Sequence, residues 1–132
     1  MKAAKPSDLE LQVLGVLWEQ GPLSVRDLLP LLPDGKERAY TTVLTVLQGM
    51  ERKKLVNHRR DGLTHIYRPL VTHEEVVQPV LKTLLKHLFS GNPAKVVQAL
   101  MNATDVSAED LKQIRKVINQ AAKEADNKGD VP

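Results

Sequence analysis

Apolar residues recur along this chain at steps of three and four, with one short alternating stretch between residues 55 and 68, and that change of period lays out the elements. Leu9, Val13, Leu14, Leu17 and Trp18 share one helical face. Ser7-Asp-Leu-Glu10 in front of them has the spacing of a capping box, in which the Ser hydroxyl accepts the third amide and Glu10 reaches back to the Ser7 amide. Gly21-Pro22 ends this first helix, because glycine tolerates a left-handed cap and proline cannot continue the ladder. Ser24 caps a second, short helix with Val25, Leu28, Leu29 and Leu32 inward, and Pro33-Asp-Gly35 breaks it. A third helix is expected from about Tyr40 to Lys53, with Tyr40, Val43, Leu47 and Met50 as its core stripe.

The other face of that third helix is unusual. Thr41, Thr45, Gln48 and Arg52 share it, with Thr42 and Gly49 beside them. Threonine loses side-chain freedom in a helix, and an ordinary solvent face would carry Glu and Lys instead. A hydroxyl and a methyl on one short side chain suit base edges in a major groove, the methyl matching that of thymine. The alternating stretch follows at once. Leu55 to Arg60 and Leu63 to Arg68 read as two strands around Asp61-Gly62, a strong two-residue turn signal. Such a loop sets Arg60 opposite Leu63, Arg59 opposite Thr64, His58 opposite His65 and Val56 opposite Tyr67, with Val56, Ile66 and Tyr67 as anchors. Arg59 and Arg60 then lie near the tip, within reach of phosphate. Three helices and a basic hairpin predict a winged helix-turn-helix over residues 7–71.

From 72 to 127 the pattern is helical throughout. Thr72-His-Glu-Glu75 is a second capping box, opening a helix with Val77, Val80, Leu81, Leu84, Leu85 and Leu88 on one broad side. Pro79 lies inside it, where a kink or restart is expected. Ser90-Gly-Asn-Pro93 is a break. Val96, Val97, Leu100 and Met101 mark a shorter helix, and Ser107 caps a last one with Leu111, Ile114, Ile118, Ala121 and Ala125 inward. Three short helices with wide apolar faces close a core poorly alone, so this region is expected to pair with a second copy. Val77, Leu81, Leu84, Leu88, Leu111, Ile114 and Ile118 are the expected dimerisation residues. Residues 1–6 and 128–132 read as flexible termini, with fraying from Asn127.

Composition narrows the chemistry. Only 3% of the 132 residues are aromatic, so the core must be aliphatic, which favours helices. The fold class is therefore mainly α with a small β-hairpin. Between Lys36 and Arg68 stand eight basic and three acidic side chains, a local net charge of +5, whereas residues 72–132 are balanced. A basic stripe beside a neutral remainder is the footprint of a polyanion-binding surface. There is no cysteine, no apolar run of membrane-spanning length, and no signal-like apolar segment after Met1, so a cytoplasmic protein is expected, without membrane partners. His58 and His65 lack a further ligand for a metal, and no nucleophile or phosphate-loop motif occurs. No enzyme activity, cofactor or metal is expected.

Ala39-Tyr-Thr-Thr-Val-Leu-Thr-Val-Leu47, Lys54-Leu-Val-x-His58, Ile66-Tyr-Arg-Pro69, Ser7-Asp-Leu-Glu-Leu-x-Val-Leu14 and Leu17-Trp18 together resemble the penicillinase-repressor family of bacterial transcription regulators, over about residues 7–71. The resemblance implies a homodimeric repressor on a pseudo-palindromic DNA operator. It places the start of the recognition helix on Ala39 to Thr45 and the wing on Arg59 to Thr64. It further implies release by proteolysis in the dimerisation region, with a sensor-linked protease as partner. The Asn-Phe cleavage pair of the staphylococcal members falls near Gln98-Ala99 here, so the resemblance does not extend to that specificity. The C-terminal cysteines of the copper-responsive branch are absent. A Lys-Gly-Leu common after the helix is Lys53-Lys54-Leu55 here, so another cap is expected. DNA contacts are accordingly assigned to Arg38, Thr41, Thr42, Thr45, Gln48, Arg52, Arg59, Arg60 and Thr64. The alternative is a winged-helix protein-interaction module without specific DNA binding, since fold does not dictate function.

Overall fold

The computed structural model describes residues 6–129. The first helix, α1, spans Asp8–Gln20. It opens on the expected capping box, with the Ser7 amide donating to Glu10 Oε1 at 2.8 Å and the Glu10 amide donating to Ser7 Oγ at 3.3 Å. Gly21 closes it at φ +85°, a backbone conformation that side chains rarely adopt. Leu23–Ser24 then form a short strand, β1, which the apolar pattern did not reveal. Two residues are too few for a period, and only their pairing partner far along the chain defines them. Ser24 also caps α2, Val25–Leu28, by accepting the Asp27 amide, and a 3₁₀ turn over Leu29–Leu31 follows.

Helix α3 spans Tyr40–Arg52, and its Val43, Leu47 and Met50 are fully buried. Tyr40, expected in that core stripe, is instead 48% exposed. As the first helical residue it projects beyond the turn that its stripe partners cover. The helix ends in a Schellman motif. The Leu55 amide donates to the Met50 carbonyl at 2.9 Å and the Lys54 amide to the Glu51 carbonyl at 3.0 Å. Lys54 supplies the left-handed residue at φ +65°, so the cap survives without a glycine.

Strands β2, Val56–Asp61, and β3, Thr64–Pro69, form the wing, and β1 pairs with β3, giving a three-stranded antiparallel sheet in the order β1-β3-β2. The hairpin register differs from expectation by one pair. Asp61 lies opposite Thr64, Arg60 opposite His65, Arg59 opposite Ile66 and His58 opposite Tyr67. The loop is therefore Gly62-Leu63 rather than Asp61-Gly62. Gly62 has φ +66°, while Asp61 and Leu63 keep negative φ. A type II′ turn asks for positive φ only at its first central residue, so Gly62 satisfies it alone. Both strands shift by one residue, so every side chain keeps its expected face. Val56 and Tyr67 are buried as anchors, and Ile66 is half-buried.

The core gathers Val13, Leu14, Val16, Leu17, Val25, Leu28, Leu32, Val43, Leu47, Met50, Leu55, Val56, Tyr67 and Val76. Trp18 donates its indole N–H to the Val71 carbonyl at 2.9 Å and meets the His73 ring edge-on, which fixes where the next helix begins. That helix, α4, spans His73–Leu88. It starts on the Thr72/Glu75 capping box and runs through Pro79 without restarting. Helices α5, Pro93–Ala103, and α6, Ala108–Gly129, complete the chain. Asn127 to Gly129 remain helical rather than frayed, and the other terminal residues expected to be flexible, 1–5 and 130–132, lie outside the described residues. The chain divides into two compact units between Leu81 and Lys82. Among the described residues no helix is long and apolar enough to cross a membrane.

Candidate nucleic-acid interface

The outward face of α3 follows directly from its burial. With Val43, Leu47 and Met50 sealed in the core, Thr41, Thr42, Thr45, Gln48 and Arg52 are all exposed. The helix has no side-chain cap at its N-cap, Ala39. Thr45 donates its hydroxyl hydrogen to the Thr41 carbonyl at 2.8 Å, so its oxygen keeps lone pairs for an incoming donor. Arg52 lies along the helix where Gly49 lacks a side chain. A Cβ on Gly49 would stand 3.6 Å from Arg52 Nη2.

Arg38 is held differently. Its guanidinium forms a two-pronged pair with Asp34, Nη1 to Oδ1 at 2.9 Å and Nη2 to Oδ2 at 2.6 Å. Asp34 also accepts from the Lys36 amide and from Gln12 Nε2, while the Asp34 amide donates to Gln12 Oε1. The Arg38 guanidinium, then the Lys36 amide, hold the Asp34 carboxyl well below the usual carboxylate range. Arg38 is therefore first a brace for the segment leading into α3, and any phosphate would have to compete with Asp34 for it.

Glu10 and Lys53 join the start of α1 to the end of α3. Lys53 Nζ lies 3.0 Å from both Glu10 oxygens, and the carboxylate is almost completely buried. Burial pushes the Glu10 carboxyl up, but the Ser7 amide and the Lys53 ammonium outweigh it, so the net shift is downward.

Strand alternation puts Arg59 and Arg60 on opposite faces of the wing, both exposed. Arg59 shares its face with Asn57, Thr64 lies across from Asp61, and Arg68 Nε donates to Asn57 Oδ1 at 2.7 Å. Arg60 shares the other face with His58, His65 and Tyr67. His58 and His65 are diagonal rather than directly opposite. Their rings nevertheless stack at 4.4 Å between centroids, and His58 Nδ1 pairs with the Glu51 carboxylate of α3. Burial, followed by the Glu51 carboxylate, pushes the Tyr67 phenol up. Among the described residues no three metal-binding side chains cluster.

The wing and α3 face each other across a cleft of about 620 Å³, lined in part by Arg26, Tyr40 and Gln48 on one side and Leu63, Thr64 and His65 on the other. Arg26, Tyr40 and Leu63 were not among the sequence candidates. Tyr40 was misplaced by its period, and only the turn register reveals Leu63 as the tip.

The family model described as "Penicillinase repressor" matches residues 6–120. The chain belongs to the penicillinase repressor family. Among its relatives, the "Transcriptional regulator BlaI" of Mycobacterium tuberculosis is 32% identical over 126 residues, covering 95% of this chain and 80% of that protein. The "Penicillinase repressor" of Bacillus licheniformis is 19% identical over 119 residues, covering 90% and 93% respectively. Among solved structures, the monomeric form of B. licheniformis BlaI in complex with the blaP half-operator aligns with a TM-score of 0.47 at 24% identity, covering 56% of this chain and 90% of that one. The family match takes in the helices beyond the wing as well, past residues 7–71 over which the motifs carry the resemblance.

Proposed function

We propose that this penicillinase-repressor family member is a transcriptional repressor that binds a pseudo-palindromic operator as a homodimer. Each copy lays α3 in a major groove and its wing on the adjacent backbone. The observation that carries the reading is the division of α3 into a sealed apolar stripe and an exposed row of Thr41, Thr42, Thr45 and Gln48, beside a basic ribbon. In this reading the threonines and Gln48 meet base edges, while Arg38, Arg52, Arg59, Arg60 and Thr64 meet phosphate.

Residues 72–127 are the proposed dimerisation region. Leu81, Leu88, Leu111 and Ile118 are exposed on the single chain, and Val77, Leu84 and Ile114 are half-buried, a pattern that a second copy would cover. Release by a sensor-linked protease acting in this region is the matching induction route. Gln98-Ala99 stands inside α5 and would have to leave the helix to be cut.

Selection from random-sequence duplexes at several salt concentrations tests the whole proposal. The expected result is a short inverted repeat, bound less tightly as salt rises. Uniform weak binding with no enriched sequence, or affinity indifferent to salt, would favour a protein-interaction module. On the recovered operator, Thr45→Val should relax sequence preference with little change in non-specific affinity. Arg59→Ala or Arg60→Ala should weaken binding on every sequence and lower the salt slope by about one. Equal effects from both kinds of change would refute this division of labour.

A further inference from the structure

We infer that Leu63 is a further specificity-determining residue: an aliphatic tip that the wing lays into the minor groove flanking each half-site, where it discriminates against guanine. The inference rests on the operator-binding reading of α3 and the wing. Leu63 is 95% exposed, the most exposed of the large apolar side chains among the described residues. Its turn does not require it, because Gly62 alone supplies the positive φ and any residue fits the second central position. A single exposed leucine would ordinarily need no explanation. Three placements set this one apart.

The first is its position at the end of the ribbon, away from the Val56 and Tyr67 anchors. The second is its flanks, since Arg59 and Arg60 point to opposite faces of the ribbon and straddle the tip with two guanidinium groups. The third is the cleft, in which Leu63, Thr64 and His65 stand across from Arg26, Tyr40 and Gln48. With α3 in the major groove, the strand lying in this cleft is the wall between the two grooves, so the tip emerges on the minor-groove side. The arginines then hold the walls while Leu63 covers sugar edges and the groove floor. A·T pairs present only acceptors there and favour a narrow groove, whereas a G·C pair adds the guanine amino donor, which an aliphatic side chain cannot satisfy.

The test runs the duplex selection in parallel with the wild-type protein and Leu63→Ala, then measures affinities on the recovered operator with A·T, G·C or inosine·C flanks. Inosine lacks the minor-groove amino group. At 95% exposure the substitution removes no packing from the fold. Wild type should bind A·T and inosine·C flanks alike and G·C flanks more weakly. Leu63→Ala should lose that discrimination and bind the best flank about tenfold less tightly, with an unchanged salt slope. Leu63→Met should retain both properties. Equal affinity and equal flank preference for wild type and Leu63→Ala would overturn the role of Leu63 alone. Failure of the wild-type protein to enrich any sequence would overturn the operator reading and this inference with it.

Discussion

Lys54 occupies a backbone conformation that glycine adopts freely and that costs a residue with a Cβ roughly 1–2 kcal/mol. The residue is exposed, so burial of its side chain repays little of this. Lys54→Gly should therefore raise unfolding stability by about 1 kcal/mol, less than the full strain because glycine also gains freedom in the unfolded chain. Denaturant melts of the two proteins check it, and an unchanged midpoint would mean that the Lys54 side chain contributes something offsetting. At this scale the sequence was most legible where a side chain bonds its own neighbours. The capping boxes at Ser7 and Thr72 are fixed by residues three positions apart, so their spacing alone suffices. Arg38 was less legible. Its partner Asp34 is only four residues away, but Asp34 is itself held by Gln12 from α1, far back in the sequence.

Among the elements, the wing shows how much a local turn signal can carry. Asp61-Gly62 and Gly62-Leu63 are both plausible two-residue loops, and the one that needs a single positive φ is adopted. The faces survive because both strands shift together, which is why Val56 and Tyr67 were assigned inward correctly while His58 and His65 were paired one step out. The short strand at Leu23 was invisible because its pairing partner, Tyr67, is far away in sequence. The orientation of α3 depends on its ends as well as its stripe, and Lys53 ties one end to the buried Glu10. Lys53→Met would leave that carboxylate without its cation. The cost should be about 1 kcal/mol at neutral pH, limited because Lys53 is partly exposed and screened. Glu10 is shifted downward from 4.5 in the folded chain, so its contribution is complete above that value and fades as pH falls through the lower folded value. The gap between wild type and Lys53→Met should thus narrow in acid, as stability measured from pH 7 down to pH 3 will reveal.

For the molecule as a whole, the exposed apolar residues beyond the wing are where the proposed dimer would form. Leu88 is 72% exposed and Ile118 53%, in a region whose net charge is close to zero, so little opposes the approach of a second copy. Leu88→Lys should shift sedimentation from dimer towards monomer and weaken operator binding, while leaving the folding of residues 6–81 intact by circular dichroism. A monomeric wild type would remove the basis for this expectation. In the proposed homodimer two linked copies would multiply whatever each α3 reads, and here the bond from Thr45 to Thr41 has a consequence. With its hydrogen committed to the helix backbone, the Thr45 oxygen can answer only a donor. In the major groove, adenine and cytosine offer donors, whereas guanine and thymine offer acceptors. If Thr45 meets a base edge as proposed, one internal hydrogen bond would halve the alphabet that it can spell with its oxygen. In the proposed complex the two halves of a palindrome would repeat that restriction, so a bond made entirely within the protein would be written twice into the DNA it selects.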